Sequence, residues 1–365
     1  MAKNIYVTAT RQNEGKTALT LGLTAAFCKK VKNLGFIKPL GQSTAEPGKA
    51  RIDEDTLLIE KACKVHCNIQ DMSPVSVSPG FPQEYASKTV RDSLIEKVKR
   101  AYERVAEGKE IVVIEGTGHA AVGGSYGLSN AFVARLFDAK VLLVSSGGVG
   151  HPIDEILLNR CFFEKEGVQI LGVVINKVMN HEYEMVNNVT RKILQNNGIK
   201  LLGVVPFEEN LHYPTLMQVL EEFRGTIVSG DRAMTGRTGK VVLGTTLPHA
   251  MLAQFGENIL LVTSGDREDL LLAAVAFAMS ETKPKVSLTG IILTDNFHPK
   301  REVLDIVSKC QVPVVVVPQK ANEVIRRLEN LNVKISPRDR EKITLVTEAI
   351  ARYVDTDGIL NALLS

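Results

Sequence analysis

The feature that most limits what this chain can become is a short apolar segment, Ile5-Tyr6-Val7, joined to a polar, glycine-containing run. The segment leads into Thr8-Ala9-Thr10-Arg11-Gln12-Asn13-Glu14-Gly15-Lys16-Thr17, and then into Ala18-Leu19-Thr20-Leu21-Gly22-Leu23-Thr24-Ala25-Ala26-Phe27. The first piece has strand chemistry and the last is rich in helix formers and leucine, so the order reads strand, loop, helix. A helix opening on Gly-Lys-Thr turns its first backbone N–H groups and the positive end of its dipole toward an anion. That is the context a phosphate-binding loop requires. Lys16 would set a point charge against the terminal phosphates, and the Thr17 hydroxyl would hold Mg²⁺. The pattern G-x-x-x-x-G-K-[ST] asks for glycine at position 10, where this chain has Thr10. The plainer alternative is a Gly-Lys-Thr that merely opens a helix.

At 365 residues the chain is long enough for about two domains. Its 44% hydrophobic content supports a substantial core. A formal net charge of +3, with no dense basic run, argues against nucleic acid or an anionic membrane as partner. Met1-Ala2-Lys3-Asn4 leads straight into the first strand, so no signal peptide is read. The longest apolar run, Leu270 to Met279, is about half of a membrane span and reads as a buried helix. Cys28, Cys63, Cys67, Cys161 and Cys310 make an odd number and no disulfide framework, which points to a reducing cytoplasm. Cys63, His66 and Cys67 offer metal ligands close together, but nothing elsewhere obviously completes a site, so the two cysteines read as free thiols on or near a helix.

Residues 1 to about 212 alternate strand and helix patterns. Expected strands are Ile5–Ala9, Phe36–Ile37, Ile111–Ile114, Val141–Ser145, Leu171–Ile175 and Leu202–Val205; expected helices span about 16–31, 55–66, 89–107, 128–137, 153–166 and 183–196. Continuous Val/Ile/Leu strands between helices imply an α/β fold, a doubly wound, mostly parallel sheet whose ligands sit beyond the strand carboxyl ends. The candidates fall there. Lys38, held extended by Pro39, could neutralise a phosphate or a carboxylate. Asp53-Glu54-Asp55 either caps a helix or places a carboxylate on Mg²⁺. Glu115 ends a buried strand before Gly116-Thr117-Gly118, where a phosphate-loop protein keeps its metal-linked acid. Asn176 has the paired donor and acceptor that read a purine edge, and Pro206 could form the wall beside the base.

Beyond residue 213 the texture changes. A linking helix (Thr215 to Phe223) and a glycine- and charge-rich stretch (Arg224 to Lys240) make a linker over 213–240. A smaller α/β domain is expected over 241–350, with strands at Val241–Leu243, Asn258–Val262, Leu288–Leu293 and Val314–Val317, and a helical tail over 351–365. Asp266 suits the N-cap of the long helix Asp269–Met279, and Arg267 suits a local ion pair.

Taken together, the loop from Val7 to Thr17, Lys38-Pro39, Asp55, Glu115-Gly116-Thr117-Gly118 and Asn176-Lys177 resemble the ordered signature of dethiobiotin synthetase over residues 3 to 212. That family also lacks the first loop glycine, so Thr10 fits it. The resemblance implies ATP and Mg²⁺ as cofactors, with Thr10, Asn13, Glu14, Gly15, Lys16 and Thr17 around the phosphates. It implies Thr17, Asp55 and Glu115 on the metal, Lys38 facing carbamate and γ-phosphate, and Asn176 on adenine. The second half is similar to the DRTGG domain through Gly265-Asp266-Arg267 and Gly290-Ile291-Ile292-Leu293-Thr294, with Asp295-Asn296 where that family has Gly-Gly. The pairing looks like the N-terminal half of long phosphate acetyltransferases and implies self-association. The acetyl-transferring domain is absent before the chain stops at Ser365, so that activity is not carried over.

Three functions are expected from these readings. The preferred one is an ATP- and Mg²⁺-binding regulatory protein whose DRTGG domain senses a second small molecule or mediates assembly. The alternative is a ligase of the synthetase type, with Lys16, Lys38 and Glu115 acting on an acyl phosphate's formation. Against it, Arg11, Gln12, Asn13 and Glu14 replace the synthetase's Asp-Thr-Glu-Val. The third is an ATP-gated dimeric ATPase in which Arg11 acts across the interface.

Overall fold

The computed structural model describes residues 2–41, 52–77, 87–230, 236–280, 287–310, 312–331 and 333–365. The polar segment Ser43 to Ala50, the part of the proline-rich segment Pro74 to Pro82 from Ser78 onward, and residues 231–235 of the expected linker lie outside them. Two compact units emerge: Met1–Glu208 with Ile335–Ser365, and Glu209–Lys334.

In the first unit the strands are β1 (Lys3–Ala9), β2 (Leu34–Ile37), the two-residue β3 (Leu40–Gly41) and β4 (Val75–Ser76), β5 (Ile111–Glu115), β6 (Lys140–Ser146), β7 (Ile170–Val178) and β8 (Leu201–Pro206). Six of them form one sheet in the order β2-β5-β1-β6-β7-β8. Every neighbouring pair is parallel. Ile111 to Glu115 has no exposure at all, as a strand covered by helices on both faces should. From β1 the chain crosses to β2 on one side, and from β5 it crosses back past β1 to β6. That reversal opens a crevice at the carboxyl ends of β1, β5 and β6. This is the expected doubly wound P-loop fold, and its helices (Lys16–Phe27, Glu54–Cys63, Lys88–Ala106, Asn130–Leu136, His151–Lys165, Tyr183–Asn196) fall where the periodicity puts them.

The second unit is a smaller α/β sheet. It comprises β9 (Thr226–Ser229), β10 (Val241–Gly244), β11 (Ile259–Ser264), β12 (Leu288–Thr294) and β13 (Val314–Val316), ordered β10-β11-β12-β13-β9. Only β9 runs antiparallel, at the edge. It lies inside the expected linker, because four residues between Gly225 and Gly230 give no readable period. The helix Ala321–Glu329, which is not among the expected elements, packs Val324, Ile325 and Leu328 toward the sheet. At the long helix Glu268–Met279 the N-cap position is Arg267 rather than Asp266, with no side-chain cap. Arg267 does pair locally, its Nε and Nη2 donating to Asp269 at 2.8 and 2.9 Å.

The expected boundary at 350 is corrected by the structure. Residues 335–365 return to the first unit, where Arg340–Tyr353 packs on Lys16–Phe27 and Val354 bridges Gly203. The packing is close: a Cβ added at Gly22 would stand 2.3 Å from Ile350 Cβ. An amphipathic period tells which face of a helix is apolar, not which surface will cover it. Among the described residues no helix is long and apolar enough to cross a membrane.

Gly22→Val should therefore force the Arg340–Tyr353 helix outward and destabilise the first unit by about 1–3 kcal/mol. Thermal melting and proteolysis within 335–365 read this; an unchanged melt with equal resistance would contradict the packing.

Candidate functional site

Everything converges on the end of β5. Glu115 is its last residue and is fully buried. The Thr17 hydroxyl donates to its Oε1 at 3.1 Å, Lys16 Nζ stands 3.6 Å from the same oxygen, and Lys38 Nζ stands 3.7 Å away. Lys38 also donates to Asp53 Oδ1 at 2.8 Å and pairs with Asp55. Among the described residues two ammonium groups face these three carboxylates, Glu115 and Asp53 buried and Asp55 partly so. Burial first, then Asp55, pushes the Glu115 carboxyl above its ordinary range, against the pull of Lys38 and Lys16. Burial alone would lower the Lys38 ammonium, but Glu115, Asp55 and Asp53 together hold it above its ordinary value.

The loop before Lys16 is braced by its own chain. Gly15 (φ +91°) and Asn13 (φ 63°) take left-handed backbone, which turns the N–H groups inward. Gly15 also has no room for a side chain, because a Cβ there would lie 1.9 Å from Asn176 Nδ2. Asn176 donates to the Glu14 carbonyl at 2.9 Å, and Lys177 Nζ donates to the Asn13 carbonyl at 2.6 Å. One donor of the amide expected to read adenine is thus engaged on the loop backbone. Burial pushes the Lys177 ammonium down, with Glu14 opposing. Thr10 explains why glycine is not needed at its position. It is absent from the left-handed residues, its N–H bonds the Val144 carbonyl at 2.8 Å, and its hydroxyl bonds Ser145 at 3.0 Å.

The loop after β5 is held as tightly. Asn130 accepts from Tyr6 Oη at 2.9 Å and from Thr117 N at 3.0 Å, and it donates to the Thr117 and His119 carbonyls at 2.9 and 2.6 Å. Asn159 accepts from Ala120 N at 2.9 Å. Sequence reasoning misses Asn130 and Asn159, and it gives Lys177 no role of its own. For Asn159 a signal exists: an amide between the buried Ile156 and Phe163 on one helix face. Pro206 closes β8 opposite Val178 of β7, three strands over from β1 and its loop.

The oxygens present suit a hard cation. Glu115 Oε2 is buried with no hydrogen-bond partner, and Thr17 Oγ1 lies against Oε1. Asp55 reaches the cluster through Lys38. Among the described residues no three His, Cys, Asp or Glu side chains are grouped to hold a metal by themselves, so phosphate and water oxygens would complete the shell. Cys63, His66 and Cys67 form no such group among the described residues. All five cysteines are free, and burial pushes the Cys63 thiol up to about 12, away from the thiolate a metal needs.

Residues 3–215 match the AAA domain family, and the chain belongs to it. Residues 218–331 match the DRTGG domain. Among curated proteins, the phosphate acetyltransferase of Pseudomonas putida is 25% identical over 373 residues, covering 97% of this chain and 51% of that protein. That of Deinococcus radiodurans is 26% identical over 366 residues, covering 97% and 50%. The chain thus spans about half the length of the curated relatives it matches. Among solved structures, the MinC:MinD cell division protein complex of Aquifex aeolicus matches at TM-score 0.35 and 16% identity, over 57% of this chain and 84% of that one. The CBS and DRTGG domains of the Clostridium perfringens pyrophosphatase regulatory region match at 0.29 and 13%, over 46% and 83%. Both TM-scores are too low to carry any inference.

Glu115→Gln removes a carboxylate whose charged form burial disfavours, while leaving Lys38 its two aspartates. Ligand-free first-unit stability should therefore stay level or rise in that variant. It should also lose part of its decline as pH climbs above the ordinary carboxyl range, because a raised pKa means the native state holds the proton more tightly. A melting temperature several degrees lower, with unchanged pH dependence, would contradict this electrostatic account.

Proposed function

We propose that this chain binds ATP with Mg²⁺ in its first unit and acts as a regulatory protein, coupling nucleotide occupancy to its DRTGG unit. The observation that carries the reading is the convergence of Lys16, Thr17 and Lys38 on Glu115 beside a loop whose N–H groups open a helix. In this reading Gly15, Lys16 and Thr17 hold the β- and γ-phosphates, and Thr10, Asn13 and Glu14 shape the loop around them. Thr17, Asp55 and Glu115 serve the metal, which when bound neutralises phosphate charge. Asn176 keeps its Oδ1 for the adenine amino group, with Pro206 beside the base.

Regulation is favoured over chemistry because the loop's own groups are already engaged. The Glu14 side chain is buried, the Asn13 and Glu14 carbonyls are taken, and Arg11 pairs with Glu155 while its Nη2 lies 3.0 Å from His151 Nδ1. That pairing within one chain also weakens the idea of Arg11 acting across a dimer. A second ligand would suit the DRTGG unit's cavity of about 490 Å³, lined by Glu221, Glu222, Arg224, Gln319 and Arg327, where Gln319 Oε1 has no hydrogen-bond partner.

One observation favours the synthetase-type ligase as a second reading: Lys38 is a buried cation at the same carboxylates, where it would meet a γ-phosphate in the loop. ADP release stimulated by bicarbonate with a diamine, or by another carboxylate, would support it.

Lys16→Ala should weaken ATP binding by well over tenfold, since one charge-assisted phosphate contact is worth about 1.5–3 kcal/mol. Calorimetry checks this, and unchanged affinity would remove the phosphate-loop reading.

A further inference from the structure

Lys38 sits where two demands meet. Its ammonium bonds Asp53 at 2.8 Å, pairs with Asp55 and stands 3.7 Å from Glu115, on a side chain only 6% exposed. Asp55 and Glu115 are also the carboxylates that, on the reading above, serve Mg²⁺. An ammonium and a divalent cation seek the same oxygens, and two cations crowded onto one carboxylate pair, with Glu115 fully buried and Asp55 only partly exposed, repel across weakly screened space.

We propose that Lys38 and the metal compete for Asp55 and Glu115, and that a nucleoside triphosphate resolves the competition by giving the ammonium a second anion to move to. The inference rests on the nucleotide-site reading and adds an order to it: metal alone binds poorly, metal with triphosphate binds well.

Three features support it. Asp53 is fixed independently of Lys38, since it caps its helix by accepting from Asp55 N at 3.0 Å and its own N–H bonds Ser73 Oγ at 3.2 Å. The lysine therefore keeps one anchor outside the metal set when it leaves the other two. Glu115 Oε2 is buried without a hydrogen-bond partner, so one oxygen stays open to a metal while Lys38 still faces Oε1. The Lys38 backbone is pinned, its N–H bonding the Met72 carbonyl at 2.8 Å, so the exchange needs only the flexible four-carbon stem to swing.

The test titrates Mn²⁺, as the probe metal, into the full chain with and without a non-hydrolysable ATP analogue, followed by electron paramagnetic resonance. Lys38→Gln should bind Mn²⁺ at least tenfold more tightly than wild type without nucleotide, and the gap should close when the analogue is present. Glu115→Gln serves as the control and should lose metal in both conditions. If Glu115→Gln loses metal but Lys38→Gln binds no better than wild type, the competition is overturned and the nucleotide site stands. If Glu115→Gln binds Mn²⁺ normally, both fall. Should Lys38→Gln fail to fold, the wild-type protein answers instead. Acetylation of Lys38, followed by mass spectrometry, should quicken at saturating Mg²⁺ alone, and an unchanged rate would overturn the proposal.

Discussion

A carboxylate with no exposure must be balanced by positive charge or give up its own, and Glu115 imposes that requirement on the first unit. It stands at the tip of a strand whose other residues are all apolar and buried. Lys16 arrives from the helix after β1, and Lys38 from the end of β2. Strand order brings them together, since β5 lies between β1 and β2 in the sheet. The charge cluster is thus a consequence of the doubly wound connection as much as of the residues themselves.

Burial disfavours the charged form of Glu115, and one of its oxygens lacks a hydrogen-bond partner, so the site has an oxygen for a metal that can displace Lys38. Rigid surroundings keep it from relaxing. Asn130 and Asn159 fix the loop after β5, Asn176 and Lys177 fix the loop after β1, and Tyr6 ties the Asn130 amide back to the central strand.

Much of this is legible in the amino-acid order. Most of the six strands of the first sheet are built on continuous apolar runs, and Gly15-Lys16-Thr17 and Glu115-Gly116 mark the two loops that meet. What stays hidden depends on three-dimensional return. Nothing local in Arg340–Tyr353 says that Gly22 will receive Ile350, and nothing in Thr226–Ser229 marks an antiparallel edge. Asp53 reads equally well as a helix cap or a site acid, and it is both a cap and a partner of Lys38. Asp295 and Asn296, where the DRTGG family has Gly-Gly, both keep left-handed backbone (φ 64° and 55°). The turn survives the substitution because Asp and Asn tolerate that region better than other side chains do.

The central claim is that the turn joining β1 to its helix is a seat for a triphosphate with Glu115 at its metal. A crystal structure of the full chain grown with a non-hydrolysable ATP analogue and Mg²⁺ tests it most directly. The account predicts phosphate density against the N–H groups of Gly15, Lys16 and Thr17, with a metal between the Thr17 hydroxyl and Glu115. Nucleotide bound elsewhere, or an empty turn at saturating analogue, would contradict it.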